Sequence, residues 1–424
     1  MNDVRLDCAR VESHALHRMA WLVVLLLMPV ALLNYLDRQL LASVKDSVMH
    51  DVPGFASQAN WGFMLASFKW VYAVLSPIGG YIADRFGRRL TICGSLFAWS
   101  AITFWTGHVH SYHELLWARS LMGISESFYI PAALALITDY HAGSTRSRAV
   151  GFHQMAIYLG VIVGGFGGYV ADAPSLGWRF GFTVCGIVGM IYALPLLLMI
   201  REPKRSSDAP ADTRPSVMRA ATELLTNPSF LLLVAYFTLP AMSAWIVRDW
   251  MPGIINERFR LGQGKSGVTA TLNWQIAAIA GAFAAGVIAD KWVSKNIRGR
   301  IYISAIGTAL IICAMFSVGN AHTVRLAAIF LILFGIGWGF FDTNGMPILS
   351  QIARPHLRAT GYGIMNLVSI SAGGVADWGL GILRDRAMPL NQIFSIFALT
   401  ALVSIVAVLL IRPRPELSNV ETHE

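Results

Sequence analysis

Charged residues inside otherwise apolar segments are the best candidates for chemistry in this sequence. Asp37 and Arg38 are adjacent in the first apolar segment, and Arg119 and Glu126 lie seven residues apart in the fourth. Seven residues make about two helical turns, so Arg119 and Glu126 share one face of a helix. Charge inside a membrane is costly and by default marks a functional site. We expect these four residues to form a functional centre; a static buried salt bridge is the alternative.

A carboxylate beside an arginine can couple proton binding to substrate binding. Burial disfavours the charged carboxylate, whereas a nearby guanidinium stabilises it. If the guanidinium pairs with an anionic substrate instead, the carboxylate loses its partner and can take a proton. Such an exchange of partners ties protonation to substrate binding.

The cations inside apolar segments favour an anionic substrate. They are Arg38, Lys69, Arg119 and Arg248. Lys69 and Tyr72 are three residues apart and therefore share a helical face. Lys69 could instead reach the membrane surface or pair with Asp37. Arg248 and Asp249 roughly mirror the pair in the first segment, as either a cavity pair or an interfacial pair.

Other polar residues in apolar segments have equally balanced interpretations. They are His153, Gln154, Asp342, Asn344, Asn366 and Asp377. Gln154 and Asn366 are candidates for substrate contact, with an interhelical hydrogen bond as the alternative for Asn366. Asp342 and Asp377 have no obvious partner in the sequence, so helix packing or a place at a cavity rim is as reasonable as a functional role.

The composition indicates an integral membrane protein. Of 424 residues, 55% are hydrophobic and only 13% charged, whereas soluble domains have about 25% charged residues. This excludes a soluble enzyme, a disordered chain and a nucleic-acid binder, although the net charge is +9. The four cysteines follow no paired spacing, so we expect no disulfide framework, no metal site and no cofactor.

Twelve apolar segments recur along the chain, and we predict an all-α polytopic membrane protein. A bilayer leaves backbone groups without water, so spanning segments must be helices here. The predicted spans are 20–45, 59–83, 90–106, 113–138, 148–171, 179–200, 228–254, 267–289, 300–318, 324–349, 358–383 and 391–411.

The placement of lysine and arginine predicts the orientation. Alternate loops and the two ends carry 21 of the 33 Lys and Arg residues, and the other loops carry 8. By the positive-inside rule both termini are cytoplasmic. We predict a cytoplasmic N-terminus (1–19), a six-helix bundle (20–200), a linker (201–227) with a short surface helix at 216–226, a second bundle (228–411) and a tail (412–424). We expect a bacterial inner membrane location.

The two halves repeat each other at an offset near 210 residues. Three pairs of segments match in order: Gly80–Arg85 with Gly286–Lys291, Leu121–Ile124 with Leu333–Ile336, and Arg148–Phe152 with Arg358–Tyr362. Duplicated six-helix halves predict a central site between them and alternating access by rocking of the halves.

The segment Gly80-Tyr-Ile-Ala-Asp84-Arg85-Phe-Gly87-Arg88-Arg89 resembles the signature loop of the major facilitator superfamily. The weaker copy, which ends at Asp290 and Lys291, fits the second half of that superfamily. The resemblance implies twelve helices in two pseudo-symmetric bundles around a central cavity. It also implies that Gly80, Asp84, Arg85, Gly87, Arg88, Arg89 and Asp290 form a conformational latch. The alternative is a loop that only anchors the topology.

The charged pairs in segments one and four look like those of the proton-coupled anion–cation symporters, which carry sugar acids and related organic anions. That resemblance implies that Asp37 and Glu126 carry protons and that Arg38 and Arg119 serve substrate binding and coupling. Tyr72 and Asn366 match positions that face substrate in that family, whereas Ile157 stands near the place of a glutamine there. Spinster-type lysolipid transporters share the same spacing.

We therefore predict a secondary transporter that carries a small organic anion together with protons and works as a monomer in the bilayer. The alternatives are a Spinster-like lysolipid transporter and a proton-coupled drug or metabolite exporter. A membrane-embedded enzyme would need a nucleophile–base set or a motif such as H-E-x-x-H, which the sequence lacks.

Overall fold

The computed structural model describes residues 2–141, 144–202, 217–293, 295–414 and 416, with side chains from residue 18 onward except at 80, 84, 144 and 217. The described chain is helical and contains no strand. The helices of the first half are α1 (Asn2–Ser43), α2 (Lys45–Asp51), α3 (Gln58–Phe86), α4 (Arg88–Thr106), α5 (Tyr112–Ser127), α6 (Tyr129–Tyr140), α7 (Ser144–Gly165), α8 (Gly167–Asp172) and α9 (Gly177–Met199).

A short helix follows, and then the second half. Its helices are α10 (Val217–Leu225), α11 (Pro228–Phe259), α12 (Gln263–Val293), α13 (Gly299–Gly319), α14 (Val324–Asp342), α15 (Gly345–Ile352), α16 (Arg358–Asp385) and α17 (Leu390–Leu410). The short helix α10 confirms the helix expected at 216–226. It lies on α11 and α16 through the buried Ala220 and Leu224.

Polar caps begin several of the long helices. Ser57, Ser111 and Thr323 each accept a hydrogen bond from the backbone three residues on, and Asn227 accepts one from Ser229 N ahead of Pro228. These side chains satisfy N–H groups that would otherwise have no partner in the helix.

The described helices make twelve long crossings of the molecule when the broken pairs α5–α6, α7–α8 and α14–α15 each count as one. Among the described residues, nine helical segments are long and apolar enough to span a membrane. The remaining three crossings are α3, α4 and α16, and α3 and α16 carry the buried charges Lys69 and Asp377. The predicted all-α polytopic fold is therefore confirmed.

The two halves use the same helix pairings. In the first half α1 packs on α7, α3 on α5, and α4 on α9. In the second half α11 packs on α16, α12 on α14, and α13 on α17. These are the same three pairs of spans, so the repeat in the sequence corresponds to a repeat in the packing.

The halves meet closely at one face. We call the face with Arg85–Arg89 the arginine-rich face and the face with loop 52–57 the opposite face. Near the opposite face, a Cβ atom on Gly62 would lie 2.3 Å from Asp377 O, and one on Gly168 would lie 2.3 Å from Gln263 O. Only glycine lets these backbones from different halves come so close.

Two aspartates reinforce the contact at the opposite face. Asp385, at the end of α16, accepts hydrogen bonds of 2.8 Å from the N–H groups of Gln58 and Ala59 at the start of α3. Asp172, at the end of α8, accepts bonds of 3.2 and 2.8 Å from Gln263 and Gly264 N at the start of α12. Each carboxylate caps a helix of the other half, where the helix dipole favours negative charge.

Toward the arginine-rich face the same helices are apart. In the described structure, the hydrogen bonds that join the halves, among them Gln39 Nε2 to Arg248 O and Trp70 Nε1 to Ser371 O, lie from the middle of the helices toward the opposite face, and none lies toward the arginine-rich face. We call the space between the halves on this side the cleft. The structure is therefore closed at the opposite face and open at the arginine-rich face.

Candidate functional site

Arg38 and Glu126 form an ion pair between α1 and α5 in the first half. Arg38 Nη2 lies 2.5 Å from Glu126 Oε2, and Arg38 Nε donates to the same oxygen at 2.7 Å. Glu126 is fully buried, and its Oε1 atom has no hydrogen-bond partner among the described residues. The sequence suggested two separate groups, Asp37 with Arg38 and Arg119 with Glu126. In the structure, Arg38 of the first group pairs with Glu126 of the second.

Asp37 and its neighbour Arg38 have different hydrogen-bond partners. The Thr103 hydroxyl of α4 donates to Asp37 Oδ2, while Oδ1 has no hydrogen-bond partner in the described structure. Asp37 is only 2% exposed. Asn34, one turn earlier on α1, is also buried, and its side chain interacts with Glu126. Buried polar groups are nearly all satisfied in proteins, so the free oxygen of Asp37 is a candidate for a hydrogen bond from a polar ligand.

Arg119 and Arg248 make no ion pair with any described residue. Arg119, on α5, donates to the Met122 sulfur at 2.9 Å and stacks 4.6 Å above the Phe68 ring. Arg248, on α11 of the second half, lies 4.9 Å from the Tyr35 ring, and its Nε and Nη2 atoms have no hydrogen-bond partner among the described residues. Two guanidiniums therefore keep free donors inside the membrane region.

Tyr35 joins the arginines of the two halves. The Arg38 guanidinium lies 4.8 Å from the Tyr35 ring, 4.8 Å from Phe68 and 5.0 Å from Tyr72. Because Arg248 contacts the same Tyr35 ring, Arg38 and Arg248 flank one aromatic side chain. We call Arg38, Arg119 and Arg248 the arginine cluster. It fits an anion, since guanidinium groups bind carboxylates and phosphates through paired hydrogen bonds.

Lys69 lies between two carboxylates of the second half rather than next to Asp37. Its Nζ atom is 2.5 Å from Asp249 Oδ2 of α11 and also contacts Asp377 of α16. The ammonium lies 4.2 Å from the centre of the Trp245 ring. We call Lys69, Asp249 and Asp377 the lysine triad. It ties α3 of one half to two helices of the other.

Gln154 and Asn366 lie on helices of different halves, α7 and α16. Gln154 is exposed on α7 and interacts with Tyr158, and Asn366 is half-buried on α16 and interacts with Tyr362. Their contact with a substrate stays a prediction.

The signature loop contacts its own half. Gly87 has φ of 90° between α3 and α4, a backbone conformation that favours glycine. Arg88 pairs with Asp139, and Arg89 donates to Leu197 O at 2.7 Å. Arg85 is exposed.

The predicted latch also includes Asp290, Gly80 and Asp84. Asp290 pairs with Arg300 at 2.9 Å. Gly80 and Asp84 lie in α3, but their surroundings are outside the described part of the structure. The role of this loop as a latch stays a prediction.

Sequence reasoning missed Thr103, Tyr35 and Trp245. For the two aromatic residues a signal was present, because Tyr35 precedes Arg38 by three residues and Trp245 precedes Arg248 by three. This spacing puts ring and guanidinium on one helical face, and the two pairs are related by the repeat offset of 210. For Thr103 the sequence held no signal, since it lies on a different helix from Asp37.

Relatives of this chain have several transport roles. It is 30% identical over 252 residues to protein spinster homolog 1 of Xenopus tropicalis, with 57% of this chain and 47% of the relative covered, so it spans about half of that protein's length. It is 26% identical to an MFS-type efflux pump of Mycolicibacterium smegmatis, with 90% and 88% covered. It is 24% identical to the probable galactarate/D-glucarate transporter GudP of Bacillus subtilis, with 92% and 91% covered.

The fold also matches solved structures. A bacterial homolog of the human lysosomal transporter Spinster, crystallised in an inward-facing and occupied conformation, superposes with a TM-score of 0.78 at 19% identity, with 92% of this chain and 96% of that one covered. A sequence model of the Major Facilitator Superfamily matches residues 25–376. With its two equivalent helical halves and a polar centre between them, this chain belongs to the Major Facilitator Superfamily, a family of membrane transporters.

Proposed function

We propose that this transporter carries a small organic anion, such as a sugar acid or another carboxylate, together with protons. The observation that carries the proposal is the arginine cluster, in which Arg119 and Arg248 have no ion-pair partner within the described chain. A buried guanidinium without a counter-charge is costly, so an anion bound there gains an unusually favourable interaction. Because the cluster includes arginines of both halves, the anion would contact both at once.

Proton coupling follows from the ion pair between Arg38 and Glu126. An anion that draws the Arg38 guanidinium toward itself leaves Glu126 buried and without its counter-charge. A carboxylate in that position favours the protonated form. The proton then travels with the anion, and it leaves when Arg38 returns to Glu126. Asp37, held by Thr103, is a second carboxyl that can take a proton beside the cluster.

The open cleft suits the inward-facing state of such a transport cycle. The arginine-rich face faces the cytoplasm by the positive-inside rule, so a cleft open to that face gives an inward-facing state. The relative named as a probable galactarate/D-glucarate transporter supports a sugar acid. The relatives named spinster and efflux pump favour the alternatives of lysolipid transport and export.

The test uses the purified protein in lipid vesicles with an imposed pH gradient. We expect the gradient to drive uptake of radiolabelled galactarate by the wild type. Glu126→Gln should abolish gradient-driven uptake while substrate counterflow stays measurable, because counterflow needs no net proton movement. Glu114→Gln is the matched control on the same helix, where glutamine preserves the cap at the start of α5.

Two outcomes would contradict the proposal. Undiminished gradient-driven uptake by Glu126→Gln would remove Glu126 from proton coupling. Transport of lysolipid without any transport of galactarate or other carboxylates would replace the organic anion with the Spinster-like alternative.

A further inference from the structure

Asp342 is an exposed carboxylate at the end of α14, facing the cleft. It is the last residue before the break between α14 and α15. Its side chain is exposed although the helix lies in the membrane region, and it makes no ion pair with any described residue. Proton coupling as proposed above does not use it.

Aromatic side chains surround this end of α14. The Tyr236 hydroxyl donates to Phe341 O at 3.1 Å, so Tyr236 lies against the residue next to Asp342. The Phe237 ring is 5.9 Å from the Phe341 ring and 6.5 Å from the Tyr362 ring. Together these contacts place α11, α14 and α16 around one end of the cleft.

The opposite wall of the same space comes from the first half. Tyr158, on α7, is within electrostatic reach of Asp342, as are Tyr236 and Tyr362. Tyr158 also lies within reach of Tyr35, the ring that separates Arg38 from Arg248. Tyr158 and Tyr35 therefore connect the surroundings of Asp342 with those of the arginine cluster.

We propose that Asp342 and its surrounding tyrosines form a cation subsite and that the substrate is a zwitterion with an ammonium group as well as an acidic group. This inference rests on the proposed function, because the arginine cluster must hold the acidic group. A carboxylate edged by aromatic rings is a good receptor for an ammonium ion, which gains both charge pairing and cation–π attraction. A cleft with low-dielectric walls strengthens the field of a single carboxylate.

A substrate with charges at both ends also fits the distribution of charge in the cleft. The arginine cluster supplies positive charge deep between the halves, and Asp342 supplies negative charge on the wall of the second half. An anion without an ammonium group would bind at the cluster and gain no interaction at Asp342. The subsite would thus favour organic acids that carry an ammonium group over those that lack one.

The experiment compares matched ligands that differ by one ammonium group. Binding of gluconate and of 2-amino-2-deoxygluconate to the purified full chain is measured by calorimetry at pH 7, and butyrate is compared with 4-aminobutyrate. We expect at least one amino compound to bind about tenfold more tightly than its partner, the order of a desolvated cation–π and charge contact. Asp342→Asn should remove that preference while leaving the affinity for the plain acid unchanged.

Two further variants keep the result interpretable. Asp342→Glu retains the charge and should retain the preference, which rules out a folding defect as the cause of any loss. Asp51→Asn removes another carboxylate, one that accepts a hydrogen bond from Trp178 on the opposite face, and should behave as the wild type.

The outcomes separate this inference from the function on which it rests. If both members of each pair bind equally, or if Asp342→Asn keeps the preference, the cation subsite is wrong and anion binding stands. If Asp342→Asn loses proton coupling but keeps the preference, Asp342 carries a proton and the subsite is likewise wrong. If no acid binds at all, the anion proposal fails and the subsite with it.

Discussion

The arginines at the centre of this transporter differ in what holds them. Arg38 is paired with Glu126, whereas Arg119 and Arg248 meet aromatic rings and a methionine sulfur but no carboxylate. Breaking a buried ion pair leaves an uncompensated charge, while removing an unpaired cation leaves none. The same change of residue should therefore have different consequences at different positions.

We expect Arg248→Gln to weaken binding of the transported anion by about tenfold or more without loss of thermal stability. The expected loss corresponds to one charge-assisted hydrogen bond, about 1.5–3 kcal/mol. Arg38→Gln should lose both binding and stability, since Glu126 then lacks its partner, at a cost of about 3–5 kcal/mol. Calorimetry and thermal unfolding measure the two quantities. Equal loss of stability in both variants would show that Arg248 is structural.

Helices α3, α11 and α16 are connected by the lysine triad. Lys69 is the only cation of the triad and faces two carboxylates from the other half. It lies on the side of the membrane where the halves are in contact, near Gly62 and Asp377 O. Because the triad joins the two halves on this side, we expect its contacts to break when the opposite face opens.

We expect Lys69→Met to favour opening of the opposite face, because it leaves Asp249 and Asp377 close together without their shared cation. The loss of the buried pair is worth about 3–5 kcal/mol. Spin labels at 57 and 386, in a background without the native cysteines, should report longer distances in this variant than in the parent. Arg179→Met, which removes a cation whose described hydrogen bonds stay within the first half, is the control. An unchanged distance distribution would contradict a gating role for the triad.

Across the molecule, closure of the opposite face rests on a symmetric pair of caps. Asp385 of the second half caps α3 of the first, and Asp172 of the first half caps α12 of the second. Rocking the halves apart must break both caps at once. We therefore expect the two caps to form and break together.

We expect the double variant Asp172→Ala, Asp385→Ala to reduce the population that is open at the arginine-rich face. Each cap is worth about 1–2 kcal/mol, so the population ratio should shift by at least tenfold. The labelling rate of a cysteine at 154, in the cleft, measures that population with a membrane-impermeant thiol reagent. Asp51→Ala removes a carboxylate of the opposite face without touching the other half and should leave the rate unchanged. A rate unchanged in the double variant would contradict the role of the caps.

The sequence was sufficient for the helices, the repeat and most of the polar residues at the centre. Apolar runs bounded by Ser57, Ser111 and Asn227 predict membrane helices because local backbone chemistry and the bilayer act along the chain. The repeat near 210 residues predicts matched bundles for the same reason. Charges such as Arg38, Arg119 and Glu126 stand out within apolar runs wherever the chain later places them.

The pairing of those charges was decided by the tertiary structure alone. Lys69 pairs with Asp249 and Asp377, which are 180 and 308 residues away, and Arg38 pairs with Glu126 rather than Asp37. Helical periodicity fixes which residues share a face, but it carries no information on which helix that face meets. Partner choice depends on how two halves pack across a cleft, so it appears only when distant segments come together in space.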